Sequence, residues 1–333
     1  METDCTRSRR AADGKGNSST KISCQADFLG YAIMLLGLLL FSPASRAAPT
    51  YASIVYDVDK AVVLHEANAD ARTQPASLTK IMTLYMVFAA LDTDRLTLTQ
   101  RLPVSAHAAR MQPTRLGLRK RQTIGVRDAI LALITHSAND AAVLLAEAVG
   151  KTESHFAHRM NREARRLGML DTSFRNASGL PDRRQHTTAR DMLRLGVALL
   201  RRFPHYYRLF STARFSFNGR TYRNHNRLLG RYLGADGIKT GYVRASGFNL
   251  VASATRNGHR LVGVVLGGKS AAWRDKHMSG LLDVGFTALA RPRAPPPAAS
   301  AVILTPAALS EGSPQQNLGA VAPCPALGCV APR

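Results

Sequence analysis

Ser77 and Lys80 stand three residues apart in Pro75-Ala76-Ser77-Leu78-Thr79-Lys80. At that spacing on a helix, the hydroxyl and the amine share one face. A serine hydroxyl is a weak nucleophile. An amine whose proton affinity has been lowered by burial can take its proton. The residues that follow supply the burial: Ile81, Met82, Leu84, Tyr85, Val87 and Phe88 cover nearly the whole circumference of a helix over 77–91, the pattern of a helix with no solvent face. The start of that helix also offers unpaired N–H groups and a positive dipole end to an oxyanion. The spacing alone is a weak signal, because Ser18-Ser19-Thr20-Lys21 has it too. What separates Ser77 is its place behind a β-hairpin pattern and a proline, at the opening of an apolar helix.

Two further groupings carry related chemistry. Ser137-Ala138-Asn139 falls at a tight connection between two helical patterns. There a serine could relay protons and a carboxamide could hold a substrate amide. The competing reading is an ordinary helix cap, with Asn139 as the capping residue, and the same pattern recurs at Ser216-Phe217-Asn218. Lys239-Thr240-Gly241 occurs once. Gly241 lets a ligand approach the backbone, and Lys239 with the Thr240 hydroxyl could bind a carboxylate. The competing reading is the end of a surface strand. Ser-x-x-Lys, Ser-x-Asn and Lys-Thr-Gly in this order form the signature of penicillin-binding proteins and class A β-lactamases.

The elements that must position these residues follow from periodicity. Residues 52–56 and 61–64 predict a hairpin, and 248–255 and 260–266 a second one around Asn257-Gly258. Helices are expected over 126–134, 140–149, 155–167, 188–200 and 272–289. Strands near both ends with helices between predict an α+β fold: one antiparallel sheet built from both termini, flanked by helices, with a helical insertion.

Composition narrows the class. Hydrophobic residues make up 45% of the 333, enough for a packed core, and the net charge is +23. Residues 1–48 carry six Lys/Arg against four Asp/Glu, and residues 292–333 two against one. Most of the excess therefore sits on the middle segment, where it would attract polyanions or carboxylate-bearing substrates. No nucleic-acid fingerprint is present, and nucleic acid is not expected as a partner. Residues 28–41 form an apolar run behind Arg7, Arg9, Arg10, Lys15 and Lys21, with Ser45-Arg46-Ala47 after it, the pattern of a secretory signal. We expect residues 1–47 to be a leader, with membrane contact only if it is retained. The protein is expected to be exported to the periplasm or cell envelope. Residues 48–291 are the expected catalytic domain, and 292–333 a Pro/Ala-rich disordered tail. The four cysteines, Cys5, Cys24, Cys324 and Cys329, fall outside the middle segment, so its core does not rely on disulfides. No metal or organic cofactor is expected.

The segment Gln74 to Thr83 resembles the nucleophile segment of the serine-type D-alanyl-D-alanine carboxypeptidases, the low-molecular-mass penicillin-binding proteins. Gly179-Leu180-Pro181, Asp236 to Gly241 and Leu261 to Gly268 resemble that family too, and the likeness covers roughly residues 50–290. It implies a β-lactamase/transpeptidase-like fold and removal of the terminal D-alanine from peptidoglycan stem peptides, with β-lactams as covalent inhibitors. By position it makes Ser77 the acylated residue, Lys80 its general base and Ser137 the proton relay to the leaving D-alanine. Asn139 would hold the peptide amide, and Lys239 and Thr240 the terminal carboxylate. The N–H groups of Ser77 and Tyr242 would form the oxyanion hole. Arg274 matches an arginine of the carboxylate region, against the alternative of a solvated helix residue. Val243 and Ser246 depart from the family's usual Thr and Ala, which predicts a different rim. The Pro-rich tail stands where the family has a second domain and a membrane-docking helix. Three alternatives were weighed. A DD-endopeptidase uses the same residues. A class A β-lactamase needs a deacylating glutamate that the segment 140–236 does not display in the usual context. A non-catalytic basic wall-binding protein leaves the trio unexplained.

Overall fold

Alternating apolar residues build the central sheet. β1 (Ala52–Asp57) and β2 (Val62–Ala67) form the first hairpin. β8 (Gly247–Arg256) and β9 (His259–Gly268) form another, and its turn residues Asn257 and Gly258 both have positive φ, as a two-residue hairpin loop requires. The computed structural model describes residues 50–290. The expectations for the leader 1–47 and the tail 292–333 lie outside the described residues. The sheet has the order β2-β1-β9-β8-β7, with β7 spanning Ala235–Val243, and every pair is antiparallel. β9 pairs with β1, so the two ends of the described chain close one sheet, as the pattern of strands predicts.

Between β2 and β7 lies the helical insertion: α1 (Thr79–Leu91), α2 (Val126–Thr135), α3 (Asn139–Gly150), α4 (Glu153–Arg166) and α5 (Ala189–Arg202). α6 (Ala271–Ala290) follows β9. Capping fixes two of the helix starts. The Thr152 and Thr188 hydroxyls accept from the backbone N–H groups of His155 and Asp191. Sequence periodicity did not reveal two short ribbons, β3 (Arg101–Pro103) with β4 (Thr123–Gly125), and β5 (Arg214–Phe217) with β6 (Arg220–Arg223).

The sheet is buried on both faces. Val251, Val262 and Val264 belong to the core shared with the insertion, while Leu250, Ala252, Leu261 and Val265 pack with Met278 and Leu282 of α6. Glycines set the helix distances. A Cβ on Gly196 of α5 would lie 3.3 Å from Val251, and one on Gly285 of α6 would lie 2.8 Å from Leu261. Both helices therefore rest directly on the sheet, one on each face.

Candidate active site

The serine does not sit on the α-helix itself. Ala76–Leu78 form a single 3-10 turn, with Leu78 N–H donating to Pro75 C=O, and α1 begins at Thr79. Ala76 has φ 50°, a left-handed bend that takes the chain off the helix axis just before Ser77. Every residue of α1 except Ala89 is buried, and Lys80 is fully so. Its Nζ lies 3.1 Å from Ser77 Oγ and 2.8 Å from Asn139 Oδ1, and contacts the carbonyl oxygen of Ser178. Burial first, and the charge of Lys239 second, hold the Lys80 amine well below its usual range, with Asp140 opposing. A neutral amine has two N–H bonds and one lone pair. Asn139 Oδ1 and the Ser178 carbonyl accept the two N–H bonds, which leaves the lone pair for the Ser77 hydroxyl.

Ser178 reaches Lys80 through a tight loop. Asn176 Oδ1 accepts from Gly179 N–H at 2.7 Å, and Thr83 of α1 donates to the Ala177 carbonyl at 2.7 Å. Gly179 has φ +81°, and a Cβ there would meet Ala76 O at 1.8 Å. No other residue fits against the nucleophile turn at that point. The Ser178 carbonyl had no sequence signal beyond the neighbouring Gly179-Leu180-Pro181.

Ser137 and Asn139 come from the α2–α3 connection. Ser137 holds φ 61°, and its buried hydroxyl has no hydrogen-bond partner. A strained residue with an unpaired buried hydroxyl is an uncommon combination, and Ser137 borders the same cleft as Ser77. Asn139 does not cap α3; the capping position is Ala138. Its Nδ2 instead donates to the carbonyls of Gln112 and Pro113 at 2.9 and 3.1 Å, and its Oδ1 accepts from Lys80. Both amide hydrogens thereby meet backbone carbonyls while Oδ1 meets Lys80, an arrangement that orients the Lys80 amine. Asp140, which the sequence reading did not single out, accepts from the N–H groups of Leu116, Gly117 and Leu118. That clamps residues 116–118 against α3.

β7 supplies the opposite wall, and it is a full nine-residue edge strand rather than a strand end. Its start is anchored by Asp236, which accepts from Tyr207 and pairs with Arg260. Lys239 is buried and donates to the Thr240 carbonyl at 3.0 Å. Burial, then the charge of Arg274, bring the Lys239 amine from 10.5 down to about 7. A Cβ on Gly241 would lie 3.1 Å from Ser77 N, so any side chain here would crowd the nucleophile turn. Tyr242 is 54% exposed at the mouth, its ring against Phe248. Arg274 is 4% exposed and bonded to Asp275, so it is not a solvated helix residue. Val243 lines the cleft, whereas Ser246 is buried and accepts from Asn249.

These walls enclose a cleft of about 1020 Å³ lined by Ser77, Ser137, Asn139, Thr240, Gly241, Tyr242 and Arg274. Lys80 and Lys239 lie just beneath its surface. Among the described residues no Asp or Glu side chain lines it. A cluster of Asp57, Asp59 and His259 could offer ligand atoms to a metal, but it lies at the other end of the sheet and has no part in this cleft. No described helix is long and apolar enough to cross a membrane.

The antiparallel sheet, the helical insertion and the serine–lysine cleft define a penicillin-binding fold. Penicillin-binding protein 5 of Haemophilus influenzae superposes with TM-score 0.69 at 33% identity, covering 74% of this chain and 72% of that one. Penicillin-binding protein D2 of Listeria monocytogenes, solved with ampicillin bound, gives TM-score 0.65 at 34% identity, covering 71% and 96%. The family model described as D-alanyl-D-alanine carboxypeptidase, peptidase family S11, matches residues 41–270, and the protein belongs to that family. The D-alanyl-D-alanine carboxypeptidase DacC of Escherichia coli K-12 is 39% identical over 265 residues, 75% of this chain and 66% of the relative. The match thus spans just under two thirds of the length of that relative and of DacD from Salmonella typhimurium, where it covers 65%.

Proposed function

We propose that this protein removes the terminal D-alanine from peptidoglycan stem peptides ending in D-alanyl-D-alanine, through an acyl-enzyme on Ser77. One observation carries the reading: a fully buried Lys80 amine that has two acceptors, Asn139 Oδ1 and the Ser178 carbonyl, for its N–H bonds and lies 3.1 Å from Ser77 Oγ. Lys80 takes the Ser77 proton as Oγ attacks the penultimate D-alanine carbonyl. The N–H groups of Ser77 and Tyr242 receive the oxyanion. Ser137, with its free hydroxyl, passes a proton to the departing amine, and D-alanine leaves. Water then adds to the ester, Ser77 recovers its proton and the shortened peptide is released. Lys239 and Thr240 bind the terminal carboxylate, and Gly241 lets the peptide lie against β7. Arg274 adds positive charge behind them, and Asn139 is a positioning residue for Lys80. β-Lactams would acylate the same serine. We read the protein as exported to the cell envelope, where this substrate resides; the apolar run 28–41 behind basic residues supports that.

The test is labelling by a fluorescent penicillin together with D-alanine release from an N-acetylated stem peptide, in wild type and Ser77→Ala. Labelling and release in the wild type, and neither in the variant, are expected. An unlabelled wild type, or an equally labelled variant, sinks the mechanism.

A further inference from the structure

The cleft is cationic beyond the needs of the proposed reaction. Arg214 of β5, Arg223 of β6, and Arg227 and Arg231 of the loop leading to β7 all line it. None of the four makes a side-chain hydrogen bond or ion pair among the described residues, whereas Arg190, Arg256 and Arg260 elsewhere are tied to carboxylates. Arg214 and Arg223 are direct cross-strand partners. Like charges placed opposite each other destabilise a ribbon, so the pair carries a local cost. The wall is also built to stay in place. Asn226 is buried and donates to the Gly237 carbonyl of β7 at 2.8 Å, Leu228 is buried, and Asn224 donates to the Thr212 carbonyl at 2.9 Å. These contacts seat the arginine-bearing segments against the strand that carries Lys239.

The leaving D-alanine brings one carboxylate, for which Lys239 and Thr240 suffice. Four further guanidinium groups in the same concavity match a donor with more negative charge than that. We propose that Arg214, Arg223, Arg227 and Arg231 form an anion subsite that selects acyl donors bearing free carboxylates on the residues preceding D-alanyl-D-alanine. A guanidinium meets a carboxylate through paired N–H donors, and the amidated form of the same residue offers only half of that match. The inference rests on the peptidase reading above and names the substrate class of that site.

The experiment compares two N-acetylated peptides ending in D-Ala-D-Ala that differ only in a preceding glutamate or glutamine. Exposed pairs are individually weak, so a carboxylate shared by two arginines is expected to raise kcat/KM about tenfold over the amide, and added salt is expected to shrink the ratio. The ratio should fall towards one in Arg214→Ser/Arg223→Ser and in Arg227→Ser/Arg231→Ser. A third peptide with lysine at that position should be cleaved faster than the glutamate peptide by Arg214→Glu/Arg223→Glu; a damaged fold cannot create a new preference. Equal rates for both peptides in the wild type overturn the inference and leave the peptidase reading standing. So does a preference that survives in all the variants. If the variants lose only retention on immobilised polyphosphate while the peptide ratio holds, the wall serves a phosphate polymer and the inference fails. Absence of D-alanine release from either peptide, with Ser77 unlabelled by penicillin, removes the peptidase reading and this one with it.

Discussion

Lys239 should impose a pH limit on the free enzyme. Its amine falls from 10.5 to about 7, chiefly by burial, equivalent to roughly 5 kcal/mol in favour of the neutral form. A carboxylate needs the charged form. Above about pH 7 the free enzyme loses that charge, so kcat/KM should fall towards tenfold per pH unit. Once bound, the carboxylate stabilises the ammonium, so kcat should hold level further into the alkaline range. Lys80 works in the opposite sense, because it must be neutral to act and sets the acid limb. The assay is D-alanine release from an N-acetylated donor, followed from about pH 5 to pH 10 at constant ionic strength. In Lys239→Gln the alkaline limb should vanish, because nothing is left to titrate. The plateau should drop about 10- to 100-fold, the usual worth of a hydrogen bond to a charged group. A limb that persists in Lys239→Gln, or a wild-type kcat/KM that stays flat to pH 9, would refute the carboxylate role of Lys239.

Two other substitutions probe how the nucleophile is held. Gly179→Ala places a Cβ 1.8 Å from Ala76 O at a φ of +81°. It should cost about 3 kcal/mol and lower the melting temperature by roughly 6–12 °C, with slower penicillin labelling; an unchanged melt and labelling rate would show that the loop yields freely. Asn139→Leu keeps the volume but removes the acceptor for one Lys80 N–H, so the acylation rate should drop about 10- to 100-fold, and wild-type labelling kinetics would exclude the positioning role.

The chemistry was more legible in the sequence than the architecture around it. Residue type and order singled out Ser77, Lys80, Ser137 and Lys239, and the structure places Ser77 and Ser137 in one cleft with Lys80 and Lys239 buried beneath it. The decoy Ser216-Phe217-Asn218 falls at the end of β5 and the turn after it, where the Ser216 hydroxyl bonds to Thr221 and Asn218 has φ 48°. The other decoy, at Ser18, lies outside the described residues. The main hairpins and long helices were visible because their apolar periods are unbroken. The β5–β6 ribbon was not, since its strands are only four residues each, too short for an alternation to stand out. The Ser178 carbonyl that receives Lys80 is backbone, and no side-chain pattern announces it. The commitment of Asn139 to Gln112 and Pro113 depends on a loop some 26 residues away, a distance over which residue spacing carries no information.

The two glycines that seat Ser77 also tie the nucleophile turn to distant parts of the chain. Gly179 and Gly241 press on the Ala76–Ser77 backbone from roughly 100 and 160 residues downstream. The nucleophile turn is therefore shaped by segments that are made after it. Contacts of such long range form slowly and cooperatively. A chain that has built α1 and α3 but not yet docked β7 holds serine and lysine together without the wall that receives the substrate. Competence to acylate thus depends on the closing of the sheet, and a molecule in which β7 is not docked has no finished site to offer a peptide or a drug.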